Sequence, residues 1–153
     1  MTEADMQYFA TQIRGSGPGL LLSHGGGGGI DLNFGPILPV LADHFTVVGP
    51  DFPGSGTTPR STSPLTLDGL ADGLVASANS AGLDRFSLVG YSMGTSVAIR
   101  TAARHPDRVD KMVLIAGFAR PDSYLRLALD LWEEMLASRP EVLAKFPSDP
   151  WRR

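Results

Sequence analysis

No cysteine occurs among the 153 residues, so disulfides, thiolate metal ligands and a cysteine nucleophile are excluded while the compartment stays open. No Lys/Arg-rich block stands out and the formal net charge is −3, so nothing draws the chain to a polyanion and nucleic-acid binding is not expected. No apolar run approaches the roughly 20 residues that cross a bilayer. The N-terminal stretch MTEADMQYFATQ carries acids where a secretory signal carries bases. The expectation is a cytoplasmic protein with no membrane partner. The three histidines are dispersed and no His/Asp/Glu set has ligand spacing, so no metal site is expected and no cofactor is implied.

Glycine and proline are plentiful, 18 and 12, and they punctuate the chain. The loose alternation of residues 8–14, the turn-rich Gly15-Ser16-Gly17-Pro18-Gly19 and the apolar residues 20–23 read together as a β-hairpin. Residues 35–41 read as a short helix with Pro36 in its first turn. Residues 45–49 then form a buried strand, followed by a loop over 52–64. Leu67, Leu70, Ala71, Leu74, Val75 and Ala78 have helical spacing behind Thr66 as N-cap. A strand at 86–89, a helix at 93–104 and a strand at 109–116 complete the alternation. This order predicts an α/β fold with a mostly parallel sheet and helices on both faces. The pattern then changes to an amphipathic helix over 124–136 and a shorter one over 141–146. The expected division is a partial core over 1–118 and a helical cap or appendage over 119–153.

Two stretches carry chemistry. Gly90-Tyr91-Ser92-Met93-Gly94 holds one serine between two glycines where strand becomes helix, the pattern of a nucleophile elbow. The bland alternative is a turn serine or helix N-cap. In Ser23-His24-Gly25-Gly26-Gly27-Gly28-Gly29 a strand runs into a loop almost bare of side chains, which lets backbone N–H groups approach a developing oxyanion. A dinucleotide site is the competing reading of that loop, with Asp51 as ribose-binding acid. The G-x-G-x-x-G register fails, because its last position falls on Ile30, Asp31 or Leu32.

Ser23-His24-Gly25-Gly26, Gly49-Pro50-Asp51-Phe52-Pro53-Gly54-Ser55-Gly56, Gly90-Tyr91-Ser92-Met93-Gly94 and His105-Pro106-Asp107-Arg108-Val109 occur in this order. With these motifs, residues 6 to about 118 resemble the N-terminal half of the α/β-hydrolase family. The nearest branch is that of esterases, lactonases, C–C bond hydrolases and cofactor-free haloperoxidases. The resemblance implies a sheet running through the family's sixth strand, then cap helices from Phe118 onward. It implies Ser92 as nucleophile and the N–H groups of Gly26 and Met93 as oxyanion hole. It places His24, Gly25 and Tyr91 around the substrate pocket, and Asp122 where some branches carry the catalytic acid.

A serine needs a base. His105 lies twelve residues beyond Met93, about 18 Å along one helix, and His44 precedes a strand about 20 Å long, at the wrong edge. His24 is on the right edge, and the resemblance implies that it supports the oxyanion loop. The triad is therefore expected to be incomplete within this sequence. The expected partners are a small acyl substrate and, through the apolar edge Met112-Val113-Leu114-Ile115, a complementing C-terminal half or a second copy. Two functions remain open: a serine hydrolase of an ester, lactone or related acyl bond, and a non-catalytic relative that binds a ligand or partner.

Overall fold

The computed structural model describes residues 9–138, which divide into two compact units at Gly117 and Phe118. In the first, strands β1 (Thr11–Arg14), β2 (Gly19–Ser23), β3 (Thr46–Pro50), β4 (Phe86–Tyr91) and β5 (Val109–Ile115) form one sheet in the order β1-β3-β2-β4-β5. Every pair is parallel except β1 with β3. Helices α1 (Ile30–Phe34) and α2 (Leu38–Ala42) connect β2 to β3, α3 (Leu67–Ser80) connects β3 to β4, and α4 (Met93–Arg104) connects β4 to β5. The second unit contains α5 (Ser123–Ser138). The shorter helix expected at 141–146 lies outside the described residues.

Side chains alternate across the sheet and separate two cores. Leu21, Val48 and Leu88 point to one face, where Leu70, Leu74, Val75 and Ala78 of α3 and Val97 and Ala98 of α4 cover them together with Phe9, Phe52 and Phe86. Leu20, Leu22 and Val47 point to the other face, against Ile30, Phe34 and Leu38. The central strand β2 is thus buried on both sides, which explains its unbroken apolar run. Cover runs out toward β5, where Met112, Val113, Leu114 and Ile115 are all exposed.

Two expectations are corrected. The segments expected to pair as a hairpin do not: β1 pairs antiparallel with β3, Thr11 opposite Pro50 and Arg14 opposite Val47. Both sides of β2 are already taken by β3 and β4, leaving it no edge for β1. The glycine-rich turn instead carries the chain past the start of β3, held there by Thr46 N–H to Pro18 O and Thr46 Oγ1 to Gly17 O. The helix expected over 35–41 is also not continuous. A 3-10 turn at Gly35–Ile37 gives way to α2, which has a proline in its first turn, because Pro39 has no N–H to continue an earlier helix.

Five strands are described where the resemblance implies six, and residues 1–8 lie outside the described range. The cap of α3 is as expected: Thr66 is extended and its Oγ1 accepts from Gly69 N–H at 3.0 Å. Replacing Thr66 by Ala lowers the unfolding free energy by about 1 kcal/mol, read as a lower urea midpoint at unchanged slope. An unchanged midpoint would show that the cap contributes nothing.

Candidate active site

The sheet order creates the site. The chain leaves β2 toward β3 on one side and returns as β4 on the other, so the loops after β2 and β4 diverge from neighbouring strand ends. Ser23 lies opposite Gly90 at those ends. A crevice at such a switch point is where open α/β sheets bind ligands. Here it is bordered by the glycine loop and by Ser92.

Ser92 has φ 51° and ψ −120°, a conformation that costs a non-glycine residue about 1–3 kcal/mol and persists only when its surroundings enforce it. Three backbone ties do so. Ser92 N–H donates to Ile115 O at 2.9 Å, and Ser92 O accepts from Thr95 N–H at 3.0 Å and Thr95 Oγ1 at 2.6 Å. Although Ser92 occupies the N-cap position of α4, its side chain makes no capping hydrogen bond. That disposes of the reading of Ser92 as an ordinary helix-capping serine.

The flanking glycines are required by contact. A Cβ on Gly94 would lie 2.1 Å from Ser23 O, and one on Gly90 2.7 Å from Gly94 O. Ser23 Oγ, fully buried, donates to Gly94 O at 2.9 Å and fastens the start of α4 to the end of β2.

The glycine loop is pinned from three directions. Gly25 N–H donates to Asn33 Oδ1 of α1 at 2.8 Å. Asp51, just beyond β3, accepts from Ile30 N–H at 2.8 Å and so caps α1, whose own N-cap is Gly29 and has no side chain to do it. His24, 1% exposed, receives Phe52 N–H at Nε2 (2.8 Å) and contacts Gly25 O through Nδ1, also at 2.8 Å. Since a backbone N–H only donates, Nε2 is the acceptor and the proton sits on Nδ1, donated to Gly25 O. Both ring nitrogens are committed, so His24 holds the loop and has no free lone pair for Ser92.

Gly25 and Gly26 lie against the elbow. A Cβ on Gly25 would be 3.2 Å from Ser92 Cβ and 3.2 Å from Tyr91 Cδ1; one on Gly26 would be 3.5 Å from Met93 Sδ. Neither Gly26 N–H nor Met93 N–H has an acceptor among the described residues. The structure thus brings His24, Gly25, Gly26, Tyr91, Ser92 and Met93 together.

Asp122 is engaged at the start of α5, where its Oδ1 accepts from Leu125 N–H at 2.7 Å. His105 is engaged at the far end of α4, its Nε2 3.0 Å from Asp72 Oδ1. No group of three or more His, Asp or Glu residues among the described residues could hold a metal ion, and no described helix is long and apolar enough to cross a membrane. Asn33, Thr95 and the capping role of Asp51 are additions to the residues expected at the site. Asn33 and Asp51 act on Gly25 and Ile30, 8 and 21 residues away in the chain, and Thr95 acts on Ser92 three residues before it; only the Asx and hydroxyl character of these side chains hints at such roles.

Residues 18–150 match the family model described as alpha/beta hydrolase fold. The chain belongs to the α/β-hydrolase fold family. It is 37% identical over 135 residues to a pyrrolizixenacetamide deacetylase from Xenorhabdus hominickii, covering 88% of this chain and 51% of that protein. Among solved structures, a marine microorganism esterase superposes with TM-score 0.75 at 25% identity, over 86% of this chain and 51% of that one. The meta-cleavage product hydrolase CumD from Pseudomonas fluorescens IP01 gives TM-score 0.69 at 28% identity, over 74% and 43% respectively. The chain therefore spans about half the length of these α/β-hydrolases, and its sheet corresponds to their N-terminal half.

Burial holds the His24 pKa below the ordinary histidine value, outweighing the opposing influences of the Gly25 carbonyl and the Asp51 charge. The unfolded chain takes up a proton near pH 6.5, whereas the folded one resists it, so stability is complete above that pH and declines as pH falls below it. Unfolding midpoints measured across this range follow that slope, and His24→Gln flattens it. An equal slope in the variant would show that His24 is not its source.

Proposed function

We propose that the chain supplies the nucleophile and oxyanion-binding elements of a serine hydrolase that cleaves an ester, a lactone or a related acyl bond. The observation that carries this reading is Ser92: a strained residue at the C-terminal end of β4, its hydroxyl not used as a cap, beside two N–H groups that have no acceptor among the described residues. Ser92 Oγ attacks the acyl carbonyl. The N–H groups of Gly26 and Met93 then donate to the oxygen as negative charge develops on it, where preorganised donors contribute most. The start of α4 adds a favourable field. The relatives named as a deacetylase and an esterase support acyl chemistry; the choice of acyl group rests on parts of the pocket beyond these elements.

The proton of Ser92 must go to a base. His24 is committed at both nitrogens, and His105 lies at the opposite end of α4 from Ser92. His44 precedes β3, at the other end of that strand from Asp51, so in this proposal the base is a histidine outside these 153 residues. The exposed edge β5 fits the same picture, since a strand open on its outer side is a place for another strand, from the same protein or another.

Binding without turnover is the second reading, and the commitment of His24 and His105 is what favours it. The two readings part on one experiment. In the full-length protein, Ser92→Ala lowers p-nitrophenyl acetate turnover by at least about 10³-fold, with the fold retained. Equal turnover by the variant, or none by the unaltered protein, would decide against hydrolysis at Ser92.

A further inference from the structure

Ordinarily a serine at a helix N-cap turns its own oxygen onto the N–H of the third helical residue. At the start of α4 the roles are reversed. The third helical residue, Thr95, sends its hydroxyl back to Ser92 O at 2.6 Å, in addition to the 3.0 Å bond from its own N–H. Thr95 is 1% exposed, so this hydroxyl has no water to turn to. Its geometry satisfies the Ser92 carbonyl without using Ser92 Oγ.

The other side of Thr95 faces the end of β5. A Cβ on Gly117 would lie 2.9 Å from Thr95 Oγ1 and 3.1 Å from both Thr95 Cβ and Cγ2. Just before Gly117, Ala116 has φ 53°, in the left-handed region that an alanine seldom adopts. Ile115, one residue earlier, accepts the Ser92 N–H. Of the two positive-φ non-glycine residues among the described residues, Ser92 is therefore hydrogen-bonded to Thr95 and Ala116 directly precedes the glycine packed against it, while the end of β5 supplies a tie to the Ser92 amide.

We infer that Thr95 is a positioning residue, which holds Ser92 in its strained conformation with the hydroxyl free and registers it against the Ala116–Gly117 turn. Its effect on catalysis rests on the proposed role of Ser92; its effect on the Ser92 backbone does not. Thr95 touches no reacting atom. Its loss should therefore weaken the chemical step more than substrate binding.

The test compares Thr95→Val, which keeps the shape and removes the hydroxyl, with Thr95→Ser, which keeps the hydroxyl, in the full-length protein. Expected for Thr95→Val is a fall of about 10-fold or more in kcat and in Ser92 labelling by a fluorophosphonate, with KM within about two-fold. Thr95→Ser restores most of both. Amide hydrogen exchange at Ser92 is expected to quicken in Thr95→Val and not in Thr95→Ser.

Exchange reads the backbone even if the unaltered protein proves inactive and unlabelled, an outcome that removes the hydrolase reading alone. Unchanged exchange and labelling in folded Thr95→Val would overturn the inference, as would Thr95→Ser behaving like Thr95→Val. Should Thr95→Val not fold, Gly117→Ala presses a methyl group onto the Thr95 hydroxyl without deleting it. The same loss of labelling and faster Ser92 exchange then support the inference, and unchanged values overturn it.

Discussion

Everything at the site depends on the close approach of α4 to the end of β2. Gly94 lies so near Ser23 O that a single methyl group would collide with it at 2.1 Å, and the Ser23 hydroxyl bonds the Gly94 carbonyl across the same gap. Since α4 starts where β4 stops, that approach leaves room for only a very tight turn. One residue, Ser92, makes it. The strain at Ser92 is thus a consequence of how strand and helix pack, and it persists because hydrogen bonds from Thr95 and to Ile115 secure both sides of its peptide backbone.

The same packing decides what the glycine loop can do. With α4 pressed against β2, the loop after β2 passes over the elbow, so near that a Cβ added to Gly25 would touch Ser92 and one added to Gly26 would touch Met93. Asn33, Asp51 and His24 then hold the loop through backbone groups, and the Gly26 N–H has no acceptor among the described residues. His24 is informative because its chemistry is so constrained. A buried imidazole that accepts Phe52 N–H and donates to Gly25 O is a neutral strut. His24, although it follows β2 at the same sheet edge as Ser92, is therefore a structural part of the glycine loop, and both its ring nitrogens are taken.

Much of this was legible in the sequence because the signals are local. The alternation of apolar strands with helical spacing gave the parallel order, and Gly90-Tyr91-Ser92-Met93-Gly94 between strand and helix marked the elbow. The hairpin reading failed for a physical reason: glycine-rich turns announce a reversal of the chain, and the same turn serves whether the two strands are adjacent or separated by a third. Helix α1 was missed because its cap, Asp51, comes from beyond the following strand, while the local residue Gly29 has no capping group. Thr95 looked like one more helical threonine. Its role depends on the Ser92 carbonyl, one turn away, and on Gly117, 22 residues later in the chain, which only tertiary packing brings to it.

The central claim is that Ser92 forms a covalent acyl intermediate. Rapid acid quenching of the full-length protein during p-nitrophenyl acetate turnover, followed by peptide mass spectrometry, measures it directly. The account predicts a burst of about one p-nitrophenol per chain and an acetyl group on the peptide containing Ser92, at that serine. Steady turnover with no acetyl group on Ser92, or with the acetyl group on another residue, would contradict it.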